Sequence, residues 1–541
     1  MKKKFVLLLV MAMVVCIFAA TGCGESKTAE DNLKVKCYNG VMVGQQEDGV
    51  NSWKGVPYAK PPVDELRWRA PVAADKSDEE IECYDFGYTA LQYEWPTEPA
   101  SYEEKSEDCL TLNIWTGEDG NDEAKAVMVW FHGGSHAWGG TADPIYDGAA
   151  FVKEHPDTIL VTANYRLGMM AWPDFTDVPG GEDYTDLNLG IRDHIAALEW
   201  VQENIEGFGG NPDNVTIYGE SAGGMSTADL LVSPMAEGLF NNVIIQSGGM
   251  LASPKAEGTE EAKEFANVIM EAAGAETMDD LLALTTEELL ALDEEVGLGD
   301  YSCGAISDGV VVPYEEELAE RYKSAADRGI KLMLGANADE YNYFMVDAFG
   351  DTKEEQFENW AGGMQETWDY YYKKSEINKK LMDEFADIHS KRIGEEYPDE
   401  REALIHSSLF TEAWRLNHQI IADTYSDCGG EVYMYYWAVP STSDDYYKSA
   451  CHAVELAYMF NNLHDTIYCG ENPDKETARK AHNAWANFAK TGNPSIEGTE
   501  WLTYDSEKRN TMMIQLDGWQ MESDPLQRSR EIMTELDVEI F

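Results

Sequence analysis

The sequence predicts an α/β fold in which helices cover both faces of a mostly parallel sheet, and two features support this prediction. Short apolar runs rich in Val, Ile and Trp recur, as buried strands require, at residues 127–131, 158–162, 215–218 and 243–245. Between the second and third runs, residues 189–205 repeat Ile, Leu and Val at helical spacing, and Gly207 is expected to end that helix. Because strands alternate with helices, ligand chemistry is expected at the carboxyl ends of the strands.

Composition restricts the possible functions of the chain. Its 541 residues are 44% hydrophobic, which is enough to bury a large core. No repeat or low-complexity block divides residues 33–541, which we interpret as a single domain. The 100 acidic and 40 basic residues give a formal net charge of −60, which repels nucleic acid phosphates and argues against nucleic acid as a partner. We expect a solvated acidic surface; the alternative is that it steers a cationic substrate.

The first 32 residues have the pattern of a leader followed by a tether. Residues 2–4 are lysines and residues 5–20 are apolar, a run too short to span a bilayer comfortably. Residues 20–23, Ala-Thr-Gly-Cys, resemble the lipobox of bacterial lipoproteins, which implies that residues 1–22 are removed and Cys23 is lipidated. Residues 23–32 then tether the protein to the outer face of the bacterial cytoplasmic membrane. The alternative is ordinary signal-peptidase cleavage with an incidental Cys23, which gives a secreted protein.

The cysteines leave disulfide pairing open. Of the nine cysteines, Cys16 lies in the leader and Cys23 at the proposed anchor. An odd number remains, so at least one is unpaired within the chain. These are Cys37, Cys83, Cys109, Cys303, Cys428, Cys451 and Cys469. Export permits disulfides but does not require them.

Residues 219–223, Gly-Glu-Ser-Ala-Gly, follow the apolar run at 215–218 and precede the helix-compatible residues 225–231. This context is typical of a nucleophile elbow, in which glycines flank a strained turn that presents the serine hydroxyl at the top of the sheet. The helix that follows directs its N–H groups and positive dipole end toward developing negative charge. The motif alone is weak, but its context predicts an α/β-hydrolase fold with Ser221 as the nucleophile.

A second motif, His-Gly-Gly-Ser at residues 132–135, follows the run at 127–131. Small residues after a strand let backbone N–H groups approach a carbonyl oxygen, as an oxyanion hole requires. We assign the donors to Gly134 and Ser135, joined by Ala222 after the nucleophile. The alternative is a plain glycine turn. The nearby His136 could touch substrate, but a supporting position behind the loop is the other reading.

Three longer segments complete the pattern, at residues 53–62, 107–115 and 208–221. With them the chain resembles the type-B carboxylesterases, which include cholinesterases, bacterial para-nitrobenzyl-type esterases and the non-catalytic neuroligins. The resemblance spans nearly the whole mature chain and implies the hydrolysis of small-molecule carboxylic esters without a metal or organic cofactor. Two further segments are candidates for helical insertions around the active-site mouth: the acidic residues 257–295, which are expected to form surface helices, and residues 357–397, which carry aromatic residues amid charges. Either segment could instead be an ordinary surface insertion.

The resemblance further assigns residues that spacing leaves open, because many acids and several histidines follow the serine. Residues 337–340 with Tyr343 and Phe344 are similar to the segment that carries the acid, which implies Glu340, with Asp339 as the runner-up. His452 matches the family's histidine. The implied roles are a serine attack assisted by His452, a tautomer fixed by Glu340, and an acyl-enzyme that water hydrolyses.

The remaining implied site residues form the substrate pocket. Glu220 resembles a family residue that adds negative charge near the imidazolium, and Tyr343 and Phe344 supply aromatic walls. Cholinesterases place a tryptophan shortly before residues 107–109 to stack on a quaternary ammonium. Pro99 falls about there in this chain, with Trp95 as a possible shifted equivalent.

Another departure concerns a disulfide. The family's usual partner of Cys109 is replaced by Ala90, and Cys83 is a possible substitute. Three rival functions remain, of which the solute-binding lipoprotein is suggested only by the leader and Cys23, and the hydrolase motifs argue against it. They are a neuroligin-like binding module, which the intact serine, acid and histidine argue against, a solute-binding lipoprotein, and an amidase or thioesterase with the same machinery. The physiological ester and the oligomeric state are not indicated by the sequence.

Overall fold

The structure is a computed structural model that describes residues 33–93, 104–118, 123–249, 257–296, 303–314, 317–345, 352–393, 399–443, 449–464 and 468–538. The expected leader and tether, residues 1–32 with Cys23, lie outside the described residues, as do Trp95 and Pro99. Across these ranges, no helix is long and apolar enough to cross a membrane.

The strands form one large sheet and one small one. In chain order they are β1 (Lys34–Cys37), β2 (Gly40–Val43), β3 (Gln45–Glu47), β4 (Val50–Pro57), β5 (Glu80–Glu82), β6 (Thr111–Gly117), β7 (Lys125–Phe131), β8 (Thr158–Ala163), β9 (Gly210–Glu220), β10 (Asn242–Gln246), β11 (Lys331–Asn337), β12 (Glu431–Trp437), β13 (Asn510–Gln515) and β14 (Gly518–Ser523). Among the described residues, β1, β2 and β5 form the three-stranded sheet and the other strands form an eleven-stranded sheet.

The large sheet is parallel at its centre and antiparallel at its edges. Its order is β14-β13-β12-β11-β10-β9-β7-β8-β6-β4-β3. Neighbouring strands from β8 to β13 in this order are parallel, whereas the pairs that involve β3, β4, β6 and β14 are antiparallel. The four predicted strands lie within β7, β8, β9 and β10, and all of β8 and β10 is buried. Helices cover such strands on both faces, so the predicted α/β-hydrolase fold is confirmed.

The helices lie between these strands or follow them. They are α1 (Ala149–Glu154), α2 (Leu189–Asn204), α3 (Ala222–Val232), α4 (Glu257–Ala273), α5 (Met278–Leu282), α6 (Thr286–Val296), α7 (Leu318–Asp327), α8 (Lys353–Lys374), α9 (Glu376–Ile393), α10 (Arg401–Asp427), α11 (Leu456–Met459), α12 (Lys475–Thr491) and α13 (Gln527–Leu536). The predicted helix at residues 189–205 is therefore α2, with its end one residue earlier.

The expectation that Gly207 ends α2 was wrong. A 3-10 turn, Ile205–Phe208, follows the helix, and the chain reverses at Gly209, whose φ of 88° is left-handed. A Cβ atom on Gly207 would lie 2.7 Å from Val35 Cγ1. Gly207 is thus needed for close packing against β1, while Gly209 supplies the conformational freedom that the reversal requires.

The acidic segment that the sequence marks as surface helices also contributes to the core. Helices α4, α5 and α6 occupy this segment, and Phe265, Ile269, Leu281 and Leu289 on them belong to the same buried apolar cluster as the central strands. Most of their acidic residues face outward, since the helices are amphipathic, but Asp293 on α6 is buried. The charge pattern alone could not reveal the buried side of these helices.

Helices α8, α9 and α10 form an insertion with its own apolar cluster, which includes Trp360, Phe385 and Leu409. This insertion packs on the 3-10 turn Glu340–Met345 that follows β11. Trp360 Nε1 donates a hydrogen bond to the Tyr341 carbonyl at 3.2 Å, and the Tyr341 ring stacks on Phe410 with centroids 4.4 Å apart. The insertion therefore fixes the turn that carries Glu340, Tyr343 and Phe344.

Two buried ion pairs hold the connections around the sheet. Arg166, which follows β8, makes a bidentate pair with Asp193 on α2, with Nη2–Oδ1 and Nε–Oδ2 distances of 2.7 and 2.8 Å. Arg67 makes a similar pair with Glu107, and its Nη1 also donates to the carbonyls of Leu282 and Leu284. Because buried charges are costly unless they are paired, each arginine holds two distant segments together.

The cysteines in the described residues are all free thiols. Cys83 does not replace the missing partner of Cys109: both side chains are buried, and Cys83 Sγ contacts Met42 Sδ at 3.8 Å. Burial raises the pKa of the Cys83 thiol to about 12. Such a thiol is a poor nucleophile, so Cys83 acts as a small apolar residue of the core.

Candidate active site

Ser221 is the single residue that connects β9, which ends at Glu220, to α3, which begins at Ala222. Its φ and ψ of 56° and −125° are strained for a residue with a side chain. The Ser221 N–H donates to the Gln246 carbonyl at the end of β10 at 2.9 Å, and the residue is half-buried. The turn thus holds the serine at the carboxyl edge of the parallel strands, where the sequence places it.

The two glycines of the elbow are required by close backbone contacts. A Cβ atom on Gly223 would lie 2.0 Å from the Phe131 carbonyl oxygen, and one on Gly219 would lie 2.4 Å from the Gly223 oxygen. Any side chain at these positions would displace backbone rather than a flexible side chain. The ends of β7 and β9 and the start of α3 therefore meet at distances that only glycine permits.

The loop after β7 lies directly beside the serine. A Cβ atom on Gly133 would be 3.0 Å from Ser221 Cβ. Gly134 and Ser135 have φ values of 101° and 51°. Within the part of the chain that the structure describes, the N–H groups of Gly134, Ser135 and Ala222 donate no hydrogen bond. Three free backbone donors therefore border the serine.

Glu340 and His452 are in direct contact. Glu340 begins the turn after β11 and is fully buried, and its Oε2 lies 2.6 Å from His452 Nδ1. The other oxygen, Oε1, accepts hydrogen bonds from Ser247 Oγ and the Asn337 N–H, both at 2.6 Å. These donors fix the orientation of the carboxylate, which in turn fixes the imidazole.

The runner-up acid, Asp339, is engaged elsewhere. Its Oδ1 pairs with Arg392 Nη1 at 2.5 Å, and its Oδ2 accepts from the Ala450 N–H at 3.2 Å. These contacts tie the turn after β11 to α9 and to the segment before His452. The structure therefore gives Asp339 a bracing position, distinct from that of Glu340.

The second imidazole nitrogen, His452 Nε2, lies 3.1 Å from Glu220 Oε1. It forms no hydrogen bond of good geometry with any described residue, Ser221 included. Burial disfavours the imidazolium, but the negative charges of Glu220 and Glu340 outweigh burial and raise the pKa of His452. Burial also raises the pKa of Glu220, against the effect of His452. Glu220 therefore favours a proton on His452, and the two groups titrate as a coupled pair.

Sequence reasoning missed Glu455, a third buried carboxylate. Its Oε2 accepts from Asn337 Nδ2 at 2.7 Å and its Oε1 from Gln246 Nε2 at 3.2 Å. Burial, reinforced by Glu340, raises the pKa of Glu455. The available signal was an acid three residues after His452 at the start of α11, but exposed acids share that pattern.

Sequence reasoning also missed Trp414, on the long helix α10. Its ring centroid lies 5.1 Å from that of His452, and its Nε1 donates to the Ser247 carbonyl at 2.6 Å. The predicted residues Tyr343 and Phe344 lie 5.8 and 5.5 Å from the same imidazole. Three aromatic rings therefore enclose His452, and they suit a neutral aryl or acyl group.

Among the described residues, no group of three or more His, Cys, Asp and Glu side chains is arranged to hold a metal ion.

Most of this chain is similar to proteins of a known family. The model of the carboxylesterase family matches residues 31–532. The para-nitrobenzyl esterase of Bacillus subtilis (strain 168) is 33% identical over 511 residues, 91% of this chain and 96% of that protein. The liver carboxylesterase of Sus scrofa is 31% identical over 493 residues, 84% of this chain and 83% of that protein.

Solved structures are similar as well. A para-nitrobenzyl esterase structure superposes with a TM-score of 0.74 and 31% identity over 93% of this chain and 99% of that chain. A carboxylesterase of Geobacillus stearothermophilus at pH 6.2 gives a TM-score of 0.75 and 31% identity over 92% of this chain and 99% of that chain.

The contact between Glu220 and His452 predicts the direction of a pKa change. Glu220→Gln removes a negative charge 3.1 Å from Nε2 and should lower the pKa of His452 by about one unit or more. NMR titration of the protein with isotope-labelled histidine measures this. Asp339→Asn, whose carboxylate pairs with Arg392, is the control and should shift His452 less. An unchanged pKa of His452 in the Glu220→Gln variant would contradict the contact between Glu220 and His452.

Proposed function

The chain belongs to the carboxylesterase family, and from this premise we propose that it hydrolyses small-molecule esters through an acyl-enzyme formed on Ser221. That it is a carboxylic ester hydrolase follows from its family and relatives. The finer proposal is supported above all by one observation: a buried Glu340 holds His452 at 2.6 Å, and Nε2 of this histidine lies 3.1 Å from Glu220, the residue before Ser221.

Acylation begins with a proton transfer, because a serine hydroxyl is a weak nucleophile at its free pKa. His452 Nε2 accepts the proton while Ser221 Oγ attacks the ester carbonyl carbon, and the carbonyl electron pair moves to oxygen. Collapse of the tetrahedral intermediate breaks the bond to the alcohol oxygen, which takes the proton from Nε2. Rotation of the serine hydroxyl toward Nε2 precedes attack, because catalytic hydrogen bonds commonly tighten only with substrate bound.

The intermediate's oxyanion is proposed to lie among the N–H groups of Gly134, Ser135 and Ala222. These donors make no competing hydrogen bond within the described residues, so no bond is broken when the oxyanion forms. Loss of one such donor typically costs 10²- to 10³-fold in kcat, in order of magnitude. Deacylation repeats these steps with water as the nucleophile. Water attacks the acyl carbon and gives its proton to His452 Nε2, and collapse of the second tetrahedral intermediate breaks the bond to Ser221 Oγ, which takes that proton back.

The carboxylates around His452 have separate proposed roles. Glu340 keeps the proton on Nδ1, so that Nε2 is free to act as a base, and it stabilises the imidazolium without accepting the proton. Glu220 adds negative charge at Nε2 itself, at 3.1 Å. This charge stabilises the imidazolium in the transition state. It also keeps Nε2 of the free enzyme protonated at low pH, and because a protonated imidazole cannot act as a base, activity is lower there.

Replacing the nucleophile tests the proposal directly. Ser221→Ala should reduce hydrolysis of a neutral aryl butyrate by roughly 10⁴-fold or more, because no other hydroxyl replaces Oγ. Covalent labelling by a fluorophosphonate should disappear in the same variant. Thermal unfolding checks that the variant is folded, and Ser390→Ala on α9 serves as a matched control. Labelling that persists on the Ser221 variant would refute the assignment.

The two neighbouring acids should differ sharply. Glu340→Gln presents an amide to His452 Nδ1 and should lower kcat by roughly 10⁴-fold, because the imidazole is no longer held in the tautomer that carries its proton on Nδ1 and leaves Nε2 free to act as a base. Asp339→Asn should cost less than about tenfold in kcat while it lowers stability, because Arg392 loses its partner. Initial rates and thermal unfolding of both variants distinguish the effects. The reverse ranking of rates would assign the acid role to Asp339.

Substrate preference follows from the walls of the site. Tyr343, Phe344 and Trp414 around His452 favour uncharged esters with aryl or short to medium acyl groups. Long-range attraction of cations by the acidic surface fades over a Debye length of about 8 Å at physiological salt. We therefore expect butyrylcholine to show less than about a tenfold advantage, or about 1.4 kcal/mol, in kcat/KM over 3,3-dimethylbutyl butyrate. A larger advantage that survives high salt would reveal a local cation site.

Cys23 is proposed as a lipid anchor, as the small residues before it suggest. The mature protein should then fractionate with membranes and begin at a diacylated Cys23, since two acyl chains hold more firmly than one. Mass spectrometry of the mature N-terminus provides the measurement, and Cys23→Ser should release the protein. An unmodified N-terminus at another residue would exclude the anchor.

A further inference from the structure

The loop that carries two of the proposed oxyanion donors is strained. Gly134, Ser135 and His136 have successive φ values of 101°, 51° and 57°. Two of these three residues carry side chains, which rarely occupy the left-handed region. Such a conformation persists only where surrounding contacts hold it, and strained backbone of this kind clusters at functional sites. The contacts of His136 are therefore informative.

His136 is held at both its backbone and its ring. Its carbonyl accepts hydrogen bonds from the Gly168 N–H and from Trp172 Nε1, both at 2.9 Å. Its ring Nε2 lies 3.1 Å from Ser226 Oγ, and its ring packs on Trp172 with centroids 4.8 Å apart. The residue is 2% exposed, so these contacts are shielded from water.

Ser226, the hydrogen-bond partner of the His136 ring, belongs to the helix that follows the nucleophile. It lies on α3, whose first residue is Ala222, the third proposed donor, and Ser221 precedes that helix directly. The His136 ring thus links the loop that carries the Ser135 N–H to the helix that carries the Ala222 N–H. The ring also forms a hydrogen bond with the backbone of Ala222, the first residue of α3.

We propose that His136 is a positioning residue that locks the loop at Gly134 and Ser135 against α3, so that the three backbone donors keep one fixed spacing around the oxyanion. The inference rests on the proposed acyl-enzyme function of Ser221. It assigns His136 no contact with substrate. It also separates the two readings that the sequence leaves open for this histidine, contact with substrate or support of the loop from behind.

The chemistry of the ring suits a structural hydrogen bond. Burial lowers the pKa of His136 to about 4, although hydrogen bonds with the backbone of Cys303 and Ala222 oppose that shift. The ring is therefore neutral throughout the range in which His452 works as a base. A neutral imidazole offers one donor and one acceptor, so it can bond to a hydroxyl and to backbone at the same time.

Loss of the hydrogen bond between His136 and Ser226 should weaken the stabilisation of the transition state and leave the binding of ground-state substrate unchanged. Ground-state substrate carries a neutral carbonyl, which gains little from the donors, whereas the tetrahedral intermediate carries a full negative charge. Movement of the loop should therefore lower kcat and leave KM nearly constant. A trifluoromethyl ketone tests this point, because Ser221 adds to its carbonyl carbon, the ketone oxygen becomes the oxyanion and the serine proton passes to His452.

The main test compares two variants that remove opposite ends of the bond. His136→Phe keeps a ring but loses the nitrogens and should lower kcat by about 10- to 100-fold, less than or similar to the loss of one oxyanion donor. Ser226→Ala loses only a hydroxyl and should lower kcat by about 5-fold. KM should change by less than about twofold, and the inhibition constant of the trifluoromethyl ketone should rise in parallel with the loss of kcat.

Two further variants exclude a merely structural role. His136→Gln places an amide near the position of Nε2 and should recover most of the lost kcat. The control is His155→Phe, because the His155 ring also makes a buried hydrogen bond, with Nε2 at 2.8 Å from His482 Nδ1 on α12, away from the proposed site. That variant should lower thermal stability and leave kcat and inhibitor affinity unchanged.

The outcomes are distinct. If Ser221→Ala retains activity, the proposed function fails and this inference fails with it. If Ser221→Ala is inactive but His136→Phe and Ser226→Ala keep kcat within about twofold, only the positioning role is overturned. The same conclusion holds if these two variants raise KM and leave kcat unchanged. Should His136→Phe not fold, Ser226→Ala and His136→Gln decide the question, because each retains most of the packing around the ring.

Discussion

Three backbone segments meet beneath Ser221: the end of β7, the end of β9 and the first turn of α3. Their separation is set by the absence of side chains at Gly219 and Gly223, since a Cβ atom at either position would lie within 2.4 Å of neighbouring backbone. This crossing forces Ser221 into its strained conformation and places the loop after β7 beside it. The serine, the loop donors and the start of α3 therefore come together through one steric constraint, which the parallel sheet imposes on the elements that it carries.

Buried charge is the second constraint on the site. Glu220, Glu340 and Glu455 surround His452, and the strand ends supply the donors that make their burial tolerable. Glu340 accepts two hydrogen bonds from groups at the ends of β10 and β11, while Glu455 accepts from Asn337 and Gln246. A proton on His452 is stabilised by the carboxylates around it, which is why the pKa of the imidazole rises although burial opposes this.

The helical insertion extends the site beyond the sheet. Through α10 it supplies Trp414, which covers His452 and donates to the Ser247 carbonyl, and through Tyr341 it packs on the turn after β11. The aromatic cover of His452 and the position of the turn that carries Glu340 thus depend on the same element. A change in the insertion would be expected to alter both selectivity and rate, because a rigid support transmits small displacements to the groups that it holds.

The sequence by itself determined the alternating strands and helices, the elbow at Ser221 and the loop at Gly134, because each depends on residues that are neighbours in the chain. Spacing could not choose Glu340 over Asp339; resemblance to a family indicated Glu340, and the tertiary contacts gave the adjacent carboxylates different partners. Only the tertiary structure brought Trp414 to His452 and showed that the buried cysteines are free thiols. These contacts join segments far apart in the chain, so local patterns carry no record of them, and the folded core alone decides which of them form.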